Sequence, residues 1–102
     1  MYLENIAAWE LKNYLEDGSY QIIDLRNDRD YGRAHVRYAV HISPEEILTG
    51  HLEKISRKKL ILYCGRGGES MKIGRILAGR GYVVKNVTGG FQEIQKFGNL
   101  LD

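Results

Sequence analysis

The sequence predicts an α/β domain with a mainly parallel central sheet flanked by helices on both faces. Three observations carry this reading. Short β-rich runs at residues 20–25, 39–42, 60–63 and 82–87 alternate with stretches of helical periodicity, the pattern of a sheet wrapped by crossover helices. A carboxylate and a thiol, Asp24 and Cys64, stand at the carboxyl ends of such runs, where open parallel sheets bind their ligands. The length of 102 residues with 43% hydrophobic content suffices for one core but not two, so residues 1–102 are expected to form a single domain.

The elements follow in order. Ala8, Leu11, Tyr14 and Leu15 form an apolar helical face after an expected Asn5 cap, and Asp17-Gly18 ends it. Residues 20–25, Tyr-Gln-Ile-Ile-Asp-Leu, read as a strand with one polar intrusion, Asp24. Asn27 to Gly32 is polar and reads as a turn, and Ala39-Val40-His41-Ile42 as a short strand. Ser43 is expected to cap a short helix with Pro44 in its first position and Glu45 and Glu46 at its positive end, so that Ile47, Leu48 and Leu52 face the core. Leu60-Ile61-Leu62-Tyr63 is a buried strand. Met71, Ile73, Ile76 and Leu77 recur at helical spacing until Gly81 stops the helix. Tyr82 to Val87 is a further strand, Thr88-Gly89-Gly90 a turn, and Phe91, Ile94 and Phe97 mark a last helix. Trp9 and the seven tyrosines are read as core or boundary residues.

Composition narrows the chemistry. Fifteen basic against 13 acidic residues leave a net charge of +2, and apart from Arg57-Lys58-Lys59 the basic residues are scattered, which argues against nucleic-acid binding. No apolar run approaches the ~20 residues of a membrane span, and Met1-Tyr2-Leu3-Glu4 lacks the layout of a signal peptide, so a cytoplasmic protein is expected, with no membrane partner. A single cysteine forms no internal disulfide, and with three histidines, none paired at ligand spacing, no zinc site is expected.

Attention therefore falls on Tyr63-Cys64-Gly65-Arg66-Gly67-Gly68-Glu69-Ser70, where that cysteine leaves a buried strand and opens a glycine-rich turn before a helix. Glycines at 65, 67 and 68 admit dihedrals closed to other residues, so that successive N–H groups can converge in front of the helix N-terminus. A thiolate there is itself the anion cradled. The amides, the helix dipole and Arg66 are all expected to lower its pKa and to present it as an exposed nucleophile. A free cysteine is more often a small buried hydrophobe; its place on a charged, glycine-rich loop favours the functional reading. Asp24 and Arg26 are read as an ion pair bracing the rim, Ser70 as a helix cap, and Arg66 as the best contact for an incoming anion.

Four segments together resemble the rhodanese-like domains, single-domain sulfurtransferases with a persulfide-forming cysteine. Ile22-Ile23-Asp24-Leu25-Arg26 is similar to the family's apolar-apolar-Asp-x-Arg strand. Tyr31 to Val40, with Ala34-His35-Val36-Arg37-Tyr38-Ala39, resembles its Gly-His-Ile-Pro-Gly-Ala segment, Cys64 to Ser70 its active loop, and Val87-Thr88-Gly89-Gly90-Phe91 its Gly-Gly turn. The resemblance covers nearly the whole chain. It implies that Cys64 is catalytic, taking a sulfane sulfur from thiosulfate or a persulfide and passing it to a thiol or cyanide. Gly65, Arg66, Gly67, Gly68, Glu69 and Ser70 would surround the substrate sulfur, and His35 would buttress a turn beside Asp24 and Arg26. No cofactor or metal is implied; a protein donor or acceptor is an expected partner.

The chain departs from the family at several positions. Gly65 and Glu69 stand where the family often has arginine, with one arginine displaced to Arg66. A carboxylate facing the cradle would cost a bound oxyanion on the order of 2 kcal/mol at an effective dielectric near 20; alternatively Glu69 turns outward as a first-turn carboxylate. Arg37 and Tyr38 replace the usual Pro-Gly. Cys-x5-Arg phosphatases and arsenate reductases are a competing class, but position 70 is Ser, which removes their anion clamp. A non-catalytic rhodanese-like interaction or sulfur-carrier module is the main alternative, and a redox-sensing thiol would need a resolving cysteine from another molecule.

Overall fold

A computed structural model describes residues 1–102. Five strands, β1 (Tyr2–Ile6), β2 (Tyr20–Asp24), β3 (Val40–His41), β4 (Lys59–Tyr63) and β5 (Val83–Val87), form one sheet in the order β1-β5-β4-β2-β3, and every pairing between them is parallel. Helices α1 (Asp28–Arg33), α2 (Pro44–Leu48), α3 (Gly68–Gly79) and α4 (Gly90–Ile94) connect or follow the strands. Short 3-10 helices cover Ala8–Asn13 and Gly98–Leu100.

Strand alternation divides the core into two layers. Leu60 and Leu62 of β4 point with Cys64 to one face, where Ile73, Leu77 and Ala78 of α3 and Ile47 of α2 cover them. Ile61 and Tyr63 point to the other, against Leu11, Leu15, Ile94 and Leu100. Both faces of the sheet are thus buried, as a parallel sheet requires, and the expected α/β architecture is the observed one.

Local differences have identifiable causes. The apolar set Ala8, Leu11 and Leu15 is buried as expected, but on a 3-10 helix whose N-cap is Ala7, closed by the Glu10 carboxylate accepting from the Ala7 amide at 2.7 Å. Asn5 belongs instead to β1, paired with Asn86 of β5. The stretch read as a turn after Asn27 is helix α1, capped by the Asn27 side chain accepting from the Asp30 amide. It buries no residue and so leaves no apolar period. Helix α2 has the predicted Ser43 cap, with Glu46 reciprocating to the Ser43 amide; Ile47 is buried, but Leu48 is 58% exposed. Helix α4 ends at Ile94, leaving Phe97 outside it and partly exposed. Trp9, read as core or boundary, is 57% exposed.

Candidate active site

The carboxyl ends of β2, β4 and β5 lie side by side and deliver Asp24, Cys64 and the Gly89-Gly90 turn to one rim. Gly67, at φ +103°, is the N-cap of α3 and turns the loop back on the sulfur. The amides of Gly67 and Ser70 donate to Cys64 Sγ at 3.0 and 3.3 Å. Of the three loop glycines, only Gly67 uses a left-handed conformation; Gly65 and Gly68 have negative-side dihedrals and open space where a Cβ would stand.

The loop is held from behind by α4. The Phe91 and Gln92 amides donate to the carbonyls of Cys64 and Gly65 at 2.7 and 3.0 Å. Those carbonyls are thereby occupied away from the sulfur, which is left to the amides of the loop. Gly90 makes this approach possible, since a Cβ there would press on the Cys64 carbonyl and come within 2.9 Å of the Arg66 nitrogen.

Cys64 is 4% exposed, which corrects the expectation of an exposed nucleophile. Burial alone pushes the thiol pKa up, but the Ser70 hydroxyl and the amides of Ser70, Gly67 and Arg66 outweigh it, and the net direction is down. Ser70 is not the helix cap, since Gly67 holds that position. It is fully buried, with its hydroxyl 3.4 Å from Sγ. The same hydroxyl bonds Asn86 Oδ1, and Asn86 Nδ2 donates to Asn5 Oδ1 at 3.0 Å, so the buried Ser70 and Asn86 tie the cradle to the exposed Asn5 of the edge strand. Asn86 escaped the sequence reading, and Asn5 is read there as a helix cap. The available signal was an asparagine inside a β-rich run, where that residue is depleted.

The predicted brace is present. Arg26 Nη2 and Nε donate to the Asp24 carboxylate, the shortest contact being 2.8 Å, and the Arg26 amide adds a bond to Oδ1. Arg26 Nη2 also donates to the Ala34 carbonyl at 2.6 Å, and the guanidinium lies 3.8 Å from the Phe91 ring centroid. The Tyr63 hydroxyl donates to Asp24 Oδ2 at 2.6 Å and accepts from the Val36 amide at 3.0 Å. His35 stacks on Tyr31 with ring centroids 4.0 Å apart and bonds the Tyr31 carbonyl; it makes no bond to the loop. Glu69 is exposed and bonds no group of the cradle, so it takes the outward of its two predicted placements. Arg66 is exposed and lines a cleft beside the loop with Arg26 and Arg33.

A parallel α/β sheet that ends in a loop of backbone amides around one cysteine places this chain among thiol-centred α/β domains. Residues 7–97 match the family described as Rhodanese-like domain, and the chain belongs to that family. It is 29% identical over 92 residues to the thiosulfate sulfurtransferase GlpE of Coxiella burnetii, covering 88% of this chain and 82% of that one. The rhodanese-like domain protein of Staphylococcus aureus superposes with a TM-score of 0.77 at 29% identity, over 89% of this chain and 90% of that one. The Bacillus anthracis CoADR-RHD structure shares the fold, with a TM-score of 0.85 at 24% identity over 97% of this chain, which spans 18% of that larger protein. No helix is long and apolar enough to cross a membrane.

Proposed function

We propose that the protein is a sulfurtransferase that carries a sulfane sulfur as a persulfide on Cys64. The observation behind this reading is the pair of amides, Gly67 and Ser70, already directed at Sγ, because donors placed before the reaction stabilise charge without reorganisation. The Cys64 thiolate attacks the outer sulfur of thiosulfate, the S–S bond breaks, and sulfite leaves with the electron pair. With a persulfide donor the leaving group is the donor thiolate. The terminal sulfur of Cys64–S–S⁻ is then attacked by an acceptor, cyanide leaving as thiocyanate or a thiol as its persulfide, and the Cys64 thiolate is regenerated. The similarity to GlpE supports the reaction class. With Glu69 exposed, its charge is partly screened by solvent and salt, which leaves an oxyanion donor admissible.

The near-burial of Cys64 favours a second reading, a rhodanese-like module that binds a partner without turnover. Intact mass separates the two. Reduced protein incubated with thiosulfate, and separately with a low-molecular-weight persulfide, is expected to gain one sulfur that cyanide removes, and Cys64→Ser to gain none. Failure to gain sulfur from either donor rejects the sulfurtransferase and leaves the binding module.

A further inference from the structure

Arg26 is more than a brace. Its side chain is 8% exposed, and three of the five guanidinium N–H groups, on Nε and Nη2, are taken by Asp24 and the Ala34 carbonyl. The two on Nη1 have no partner, and Nη1 is not among the fully buried orphan atoms. Arg26 lines a cleft of about 530 Å³ whose wall also carries Arg33, Arg66, Gln92 and Gln95. Asp24 neutralises Arg26, and Asp30 offsets one of the other two arginines, which leaves the cleft with one excess positive charge. A second cleft shares Arg26, Asp30 and Gly65 with the first and adds the carboxylates Asp28, Glu45 and Glu69. The excess positive charge therefore lies on the Arg33 and Arg66 side of the rim.

We propose, building on the sulfurtransferase reading, that the Arg26–Arg33–Arg66 cleft is a carboxylate subsite that selects a carboxylate-bearing low-molecular-weight persulfide as sulfur donor. The cleft adjoins Gly65 but is not lined by Cys64, so an anion held there is separated from the reacting sulfur. A persulfide whose carboxylate lies several atoms from its sulfur keeps its charge and its reacting atom apart in the same way. Thiosulfate, with its anionic oxygens on the sulfur adjacent to the one attacked, does not. The volume suits a ligand of tripeptide size, and a planar guanidinium edge already fixed by its other bonds binds a carboxylate with little ordering cost. The transfer itself is balanced: Cys64–S⁻ bonds to the outer sulfur of R–S–SH, the S–S bond of the donor breaks, and R–S⁻ leaves with the electron pair while the proton stays on the transferred sulfur.

The test compares loading of Cys64 by glutathione persulfide with loading by uncharged 2-hydroxyethyl persulfide, each normalised to its rate with a free thiol. The normalised ratio is expected to favour glutathione persulfide by about tenfold or more, and to fall by about tenfold in Arg33→Gln, the effect of one charge-assisted hydrogen bond. Arg26→Lys, which keeps the charge and loses the planar fork, should lower the ratio as well; should it fail to fold, Arg33→Gln still decides. A ratio near one in the wild type, or one unmoved by Arg33→Gln, overturns the subsite and leaves the sulfurtransferase standing. Loading by neither donor overturns the sulfurtransferase reading itself.

Discussion

Gly90 lies so close to the carbonyl oxygen of Cys64 that the backbone of α4 forms the rear wall of the thiol loop. At φ +57° it also holds a left-handed conformation. Gly90→Ala is therefore expected to lose about 2–4 kcal/mol of stability, from overpacking and from backbone strain together, and to impair sulfur loading. Gly98→Ala is the control: its Cβ meets nothing within 4 Å and its φ is not positive, so a change within about 0.5 kcal/mol is expected. Denaturant unfolding of both variants measures the difference.

Ionisation of Cys64 is open to a direct assay because it is the sole cysteine. The rate of iodoacetamide modification against pH should show a midpoint below the ordinary thiol value of about 8.5, and Ser70→Ala should move that midpoint upward by removing the hydroxyl contact. The folded pKa lies below the unfolded one, so the unfolded chain binds more protons between the two values. This contribution to stability consequently grows as pH rises through that window, is complete above the unfolded value, and is lost as pH falls through the folded one. A midpoint at or above that of an unfolded control would contradict the cradle.

The buried Tyr63 hydroxyl stands between the Asp24 carboxylate and the Val36 amide, and burial together with Asp24 raises its pKa far above the ordinary range. Tyr63→Phe leaves both partners buried and short of one bond, at an expected cost of about 1–3 kcal/mol. Thermal unfolding at neutral pH reads this loss, with no change expected in the thiol midpoint.

Tyr38 holds φ +71° and is 64% exposed. A side chain in that region costs about 1–2 kcal/mol, and glycine returns part of this as chain entropy. Tyr38→Gly should thus stabilise the protein by about 0.5–1 kcal/mol, visible as a raised unfolding midpoint.

Much of the candidate site was legible because its signals are local. Cys64 between an apolar strand and a glycine turn, the Asp24-x-Arg26 pair, and the Ser43 cap with Glu46 three residues on each depend on neighbours in sequence. Strand β1 was not legible, since an edge strand whose Glu4 and Asn5 face water shows no apolar alternation. Helix α1 was missed for a related reason: it buries nothing, and only its Asn27 cap and the acidic first turn announce it.

The order of apolar runs and turn residues in this chain determined by itself an alternating α/β domain, because burial period and backbone dihedral preference act over a few residues. It likewise placed a thiol and a carboxylate at the same end of the sheet. Only the tertiary structure decided that Cys64 is nearly buried, that Ser70 meets the sulfur and is tied through Asn86 to Asn5, and that Arg26 keeps a free edge beside Arg33. These relations join segments up to 81 residues apart. Strand order and side-chain packing set the distances across such separations, and neither is encoded in the local periodicity of one segment.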